Sequence, residues 1–152
     1  MNYLDANFAT ALYFGIRGQT EVAERFVRKN SLPFIFSELA ELECRRAFIL
    51  RTGKPNSENW VRLRALLAEG AWRREPIEWK AVSELSEQLI DRYGPKLKTG
   101  TLDTLHVAQA LHSGCTRFLS FDNDSNARVL AASCRLKVFP ELAAREKGRV
   151  VR

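Results

Sequence analysis

The chain has 152 residues, 45% of them hydrophobic, with three Trp, three Tyr and nine Phe; that is enough for one domain with a sizeable core and unlike a disordered composition. Its formal charge is +6, from 24 Lys and Arg against 18 Asp and Glu, a balance that suits a polyanionic partner. No apolar run reaches the roughly 18 residues that span a membrane, the residues from Met1 to Asp5 lack a secretory pattern, and Cys44, Cys115 and Cys134 match neither a disulfide framework nor a zinc site, so a reduced cytoplasmic setting is expected.

In chain order, residues 1–5 read as a short strand and 6–15 as a helix stopped by Gly15 and Gly18. Residues 20–29 form a second helix, with Val22, Ala23, Phe26 and Val27 at helical spacing. Residues 33–36 are too short and aromatic for a helix; they read as a strand ending at Ser37, a good N-cap for a helix over 38–51 that Gly53-Lys54-Pro55 closes. Trp60, Leu63, Leu66 and Leu67 line one face of a helix over 57–69. Pro76 limits a strand over 71–77 to an edge or a strand end. An amphipathic helix over 79–93 is stopped by Gly94-Pro95, and 96–100 is a polar, basic loop. A helix over 101–112, a strand over 116–121, a helix over 125–133 and a strand over 136–139 follow. The expected domain covers 1–144, with a charged tail over 145–152. Strands separated by helices imply right-handed crossovers and a parallel sheet of four to five short strands flanked by helices, a three-layer α/β/α fold.

Four carboxylates stand out because apolar sequence frames each of them. Asp5 and Asp122 end two strands, where such sheets bind ligands, Asp103 opens its helix, and Glu43 lies inside the helix over 38–51. Each has an ordinary structural reading. Asp5 can cap the first helix, Asp103 can complement a helix dipole, Asp122 opens a turn-rich loop, and Glu43 can pair with Arg46. Glu43 nevertheless falls on a stripe of Leu39, Leu42, Ala47 and Leu50 that should be buried; Glu38 and Glu41 should be solvated, with Glu41 the replacement should the helix be rotated. Ionised carboxylates against a core are costly unless paired or metal-bound, and an all-oxygen set suits Mg²⁺ or Mn²⁺. Only His106 and His112 are present, and no Ser or Cys nucleophile pairs with either, so activation of water falls to the metal. His106, one turn after Asp103, reads as a packing or supporting residue.

The order Tyr3-Leu4-Asp5-Ala6-Asn7, then Ser-x5-Glu-x-Arg-Arg-Ala over 37–47, Leu-Asp-x-Leu-His-x-Ala-x-Ala-Leu over 102–111 and Phe-Leu-Ser-Phe-Asp over 118–122 resembles the PIN-domain ribonucleases, in particular the VapC-type toxins of toxin–antitoxin pairs. The resemblance implies a PIN-like fold and a Mg²⁺-dependent endoribonuclease that leaves 5′-phosphate and 3′-hydroxyl ends. It carries the metal-binding roles to Asp5, Glu43, Asp103 and Asp122, and a supporting one to Asn7; Ser37 and His106 are expected to support the site as well. The polar stretch Asn123-Asp124-Ser125-Asn126 departs from the family pattern and makes Asp124 an additional candidate ligand, and Cys134 stands where a helix-ending Gly is common. RNA contacts are expected from Lys96 and Lys98, then Arg45, Arg46, Arg73 and Arg74. A cognate antitoxin is implied, seated between the helices over 6–15 and 37–50, where Phe8, Leu12, Phe14 and Phe48 look surplus to one core; the same surface suits a homodimer. Two alternatives stay open: another metal-dependent phosphoryl-transfer domain, and a non-catalytic PIN-like module that binds RNA or a partner.

Overall fold

In the computed structural model, which describes residues 1–30 and 33–152, five strands of three or four residues form a parallel sheet. They are β1 (Asn2–Leu4), β2 (Phe34–Ser37), β3 (Trp72–Glu75), β4 (Arg117–Leu119) and β5 (Lys137–Phe139), and their order across the sheet is β3-β2-β1-β4-β5. The chain moves outward from β1 to β3, then returns to lay β4 on the other side of β1. That reversal leaves a crevice at the carboxyl ends of β1 and β4, the place where open α/β sheets bind ligands. Leu4 is paired with Leu119, so Asp5 and Ser120 leave the sheet side by side.

The strands alternate their side chains between two cores. Leu4, Phe34, Phe36 and Leu119 face α1 (Ala6–Tyr13), α2 (Thr20–Lys29), α3 (Glu38–Thr52) and α4 (Glu58–Ala68). Tyr3, Ile35 and Phe118 face α5 (Trp79–Leu97), α6 (Thr101–His112) and α7 (Ala127–Ser133). The result is the expected three-layer α/β/α arrangement. No helix is long and apolar enough to cross a membrane.

Three local expectations change. The helix over 79–93 runs through Gly94-Pro95 to Leu97, which is 2% exposed. Gly94 has no Cβ to clash with the following ring, and burial of Tyr93 and Leu97 offsets the hydrogen bond that Pro95 cannot make. Lys98 then ends the helix with φ 50°, leaving a loop of 98–100.

Helix α3 is turned from its expected orientation. It buries Ala40, Glu41, Cys44 and Phe48, while Leu42 and Leu50 are 68% and 67% exposed. Phe48 packs with Tyr13, Phe14 and Trp60, so Phe8 and Phe48 are core residues and not surplus apolar surface. Glu41 can be buried because Arg64 and Arg74 both pair with it; it is neither solvated nor available as a ligand.

The residues read as a charged tail, 145–152, are ordered: α8 (Ala144–Lys147) takes in the first three of them, and Val150 and Val151 pack against the core. Burial alone would raise the Glu146 carboxyl, but the Arg128 guanidinium and the Ala143 N–H outweigh it and hold it below its ordinary value.

Candidate active site

The crevice at the sheet switch point is a cleft of about 410 Å³ lined by Asp5, Asn7, Glu43, Asp103, His106 and Asp122, together with Thr10, Ile16, Gln19, Ala47 and Arg51. Asp5 follows β1 and is the N-cap of α1: its Oδ1 accepts the Ala6 N–H at 2.7 Å. Its Oδ2 accepts from the Asn7 side-chain amide at 2.9 Å. Asp5 thus caps α1 and stands in the acid cluster at once: the Oδ1 that accepts the Ala6 N–H also lies 4.0 Å from His106 Nε2.

Asn7 ties the ends of β1 and β4 together. It donates to Asp5 and to Ser120 Oγ (3.1 Å), and its Oδ1 accepts the Phe121 N–H at 2.8 Å. Ser120 Oγ in turn accepts the Asp122 N–H at 3.2 Å. Asp122 Oδ1 accepts the N–H groups of Asp124 and Ser125, both at 3.0 Å, which closes a tight turn.

From the other side, α6 supplies Asp103 in its first turn and His106 one turn later. His106 is 3% exposed. Its Nε2 lies 2.6 Å from Glu43 Oε2 and 4.0 Å from Asp5 Oδ1. Its Nδ1 is 2.8 Å from the Tyr3 hydroxyl, which also meets Ser37 Oγ at 2.7 Å. Ser37 additionally caps α3 by accepting the Ala40 N–H. One buried chain thus runs Ser37–Tyr3–His106–Glu43 and fixes Glu43 toward the cleft despite the turned helix. The alternative pairing of Glu43 with Arg46 is not what the structure holds.

The electrostatics follow from this crowding. Burial raises the Asp5 carboxyl, an effect that Glu43 adds to and that His106 and Ser120 oppose. Burial raises Asp103 to about 6, reinforced by the charges of Asp122 and Asp5. Burial would lower His106, but the hydrogen bond it donates to Glu43 and the charges of Asp5, Glu43 and Asp103 outweigh it and raise the imidazole. Burial pushes Tyr3 well above its ordinary value, so it remains a neutral phenol. Asp5, Glu43 and His106 offer ligand atoms within 4.8 Å of one another. With His106 Nε2 engaged by Glu43, the remaining donors are carboxylate oxygens, the set that fits Mg²⁺ or Mn²⁺.

Other expected residues lie outside the lining. Asp124 is exposed and reaches the site only through its main-chain N–H. Lys96 and Lys98 are exposed at the end of α5, and Arg46 is exposed on α3. Arg45 stacks on Trp60 and donates to the Pro55 carbonyl; Arg73 pairs with Glu75, and Arg74 with Glu38 and Glu41. The cation in the cleft is Arg51, which the sequence reading overlooked. Its signal was present: Glu43, Ala47 and Arg51 recur every four residues and share one helix face. Helices α1 and α3 do flank the acidic cleft, but Phe8 and Phe48, expected to line a groove between them, are buried in the core. Leu12 and Tyr13 instead border a separate cleft of about 390 Å³ with Arg62, Leu66 and Glu69. A larger cleft of about 890 Å³, between α5, α7 and residues 150–152, contains no carboxylate side chain.

The sequence pattern of the family described as PIN domain matches residues 3–131. No curated protein matches the chain. Among solved structures, the fold is similar to that of Mycobacterium tuberculosis VapC20, described as a sarcin-ricin loop cleaving toxin, with a TM-score of 0.63 and 18% identity over 82% of this chain and 92% of that one. It is also similar to FitAcB from Neisseria gonorrhoeae, with a TM-score of 0.65 and 16% identity over 91% of this chain and 96% of that one. At such identities the likeness is one of fold.

Proposed function

Because the chain belongs to the PIN-domain family, we propose that it is a divalent-metal-dependent endoribonuclease and the toxin of a toxin–antitoxin pair. The observation that carries this reading is the convergence of Asp5, Glu43, Asp103 and Asp122 on one cleft, with Asp103 raised to about 6 by burial and by its neighbours. A scaffold gains nothing from crowding repelling carboxylates, which argues against a non-catalytic module.

These four residues would hold Mg²⁺, with Mn²⁺ as a substitute. Bound there, the ion would lower the pKa of a water and offset charge on the phosphate under attack. The chain's own groups do the positioning. Asn7 orients Asp5, His106 aims Glu43 into the cleft, and Ser37 with Tyr3 holds His106. His106 acts here as a support and not as a base, since both ring nitrogens already have partners. Asp124 enters through its N–H, as an order-giving neighbour of Asp122. Arg51 is placed to meet a backbone phosphate, while Lys96, Lys98, Arg45 and Arg46 would contact RNA farther out. The expected products carry 5′-phosphate and 3′-hydroxyl ends.

RNA as the substrate class is supported by the description of VapC20 as a toxin that cleaves the sarcin-ricin loop. A cognate antitoxin would restrain the enzyme by covering the cleft, and an Arg from it can engage the carboxylates in bidentate fashion. Exposed Leu42 and Leu50 on α3 are the surface expected to pair two copies. The test is induction of the chain alone and with its adjacent small gene, followed by mapping of RNA ends. New 5′-phosphate ends that vanish with Asp5→Asn and are suppressed by the small gene support the reading. Harmless high-level expression with no new ends rejects it.

A further inference from the structure

Arg128 is the largest fully buried side chain among the described residues, at 1% exposure, and the site as described makes no use of it. Each nitrogen of its guanidinium is engaged. Nε pairs with Glu146 Oε1 at 2.9 Å, Nη1 donates to the Ser120 carbonyl, and Nη2 donates to the carbonyls of Pro140 (2.9 Å) and Glu141 (3.2 Å). Glu146 is 2% exposed and also accepts the Ala143 N–H at 2.8 Å.

Stability alone does not call for this arrangement, because buried ion pairs are often replaceable by apolar residues of similar volume. What an apolar residue cannot do is hold several carbonyls in fixed places. Those carbonyls lie just past the carboxyl ends of β4 and β5, and the one past β4, that of Ser120, adjoins the acid cluster. Ser120 is the hub: its carbonyl takes Arg128, while its hydroxyl takes the Asp122 N–H and the Asn7 amide. Asn7 then reaches Asp5.

We propose that Arg128 is a positioning residue for the acid cluster: from α7 it fixes the Ser120 carbonyl, and so sets where Asp122 and Asn7 stand, with Glu146 of α8 as its counter-charge. The inference rests on reading the four acids as a metal site. It makes α8, twenty or more residues past Asp122, part of the support for a cleft that it does not line.

The experiment compares the parent with Arg128→Lys and with the double variant Arg128→Met/Glu146→Leu. Arg128→Lys keeps the ion pair but cannot span the carbonyls; the double variant removes both charges and leaves neither unpaired. Two quantities are read on folded protein: Mn²⁺ affinity, from the paramagnetic signal of the free ion, and metal-free hydrogen exchange at the Phe121 and Asp122 amides. Loss of support beside a metal site is expected to weaken Mn²⁺ binding about 10-fold or more, and both amides should exchange faster than in the parent. Variants that bind Mn²⁺ like the parent, with unchanged exchange, overturn the inference and leave the metal site standing. A parent that binds no Mn²⁺ overturns both. If neither variant folds, Arg128 is a folding residue and the positioning role fails as stated.

Discussion

Replacing Asp103 with Asn should make the metal-free protein more stable at neutral pH. Asp103 is raised from an ordinary 3.8 to about 6, chiefly by burial and then by the charges of Asp122 and Asp5. The folded state therefore holds this proton more tightly than the unfolded chain does. Below about pH 4 both states are protonated and the group costs nothing; as pH rises toward 6 the folded state loses stability, and above 6 the loss is complete. A displacement from 3.8 to about 6 corresponds to about 3 kcal/mol at roughly 1.4 kcal/mol per pH unit. Asp103 is only half-buried, so water screens part of this, and about 1–2 kcal/mol is the working figure. For a domain of this length that is about 3–6 °C in melting temperature. The assay is thermal melting by circular dichroism in EDTA from pH 4 to 8. Asp103→Asn should match the parent near pH 4 and melt higher at pH 7. Saturating Mg²⁺ should reverse the order, because a ligand held only by the native parent adds about 2.7 kcal/mol at a hundredfold excess over its Kd. The window belongs to the coupled cluster of acids and not to Asp103 alone. A variant that melts below the parent in EDTA at pH 7 would refute the repulsion argument and mark Asp103 as a structural residue.

Three further outcomes are expected. Glu43→Gln should abolish cleavage, whereas Glu41→Gln should keep it and cost about 1 kcal/mol in urea unfolding, since its partners Arg64 and Arg74 can return to water. Phe48→Ala should destabilise the fold by about 3–5 kcal/mol in the same assay, as its ring is 1% exposed among Tyr13, Phe14 and Trp60. Arg51→Gln should weaken RNA binding measured in Ca²⁺ and reduce the salt slope by about 1, with Mn²⁺ affinity unchanged; an unchanged slope would move the phosphate contact to Lys96, Lys98 or Arg46.

Features set by short stretches of sequence were readable in advance. Helices α2 and α6 follow from their apolar spacing, and Ser37 caps α3 as its residue type suggests. Asp5 was placed at its strand end by the apolar run that stops at it, whereas β4 ends at Leu119 and Asp122 follows three residues later on a turn held by Ser120 Oγ; the carboxylates converge because the sheet reverses direction between β1 and β4. What escaped depends on partners far away in the chain. The orientation of α3 turns on Arg64 and Arg74, which let Glu41 go inward while Leu42 stays outside. The passage of α5 through Pro95 turns on burial of Leu97, a packing term without local signature. Glu146 looked like one charge in a charged tail because its partner, Arg128, lies 18 residues earlier on another helix. Tyr3 and His106, 103 residues apart, meet only in the folded crevice, so the bond that ties His106 to Glu43 had no signal in the sequence.

The central claim is that Asp5, Glu43, Asp103 and Asp122 together hold a divalent cation for cutting RNA. Crystals soaked in Mn²⁺ and measured at the manganese absorption edge test it most directly, in the parent and in Asp5→Asn. An anomalous peak among the carboxylates of the cleft beyond β1 and β4 is predicted for the parent, weakened or lost in the variant. A parent crystal with no peak there, or with its peak at acids elsewhere on the surface, would contradict it.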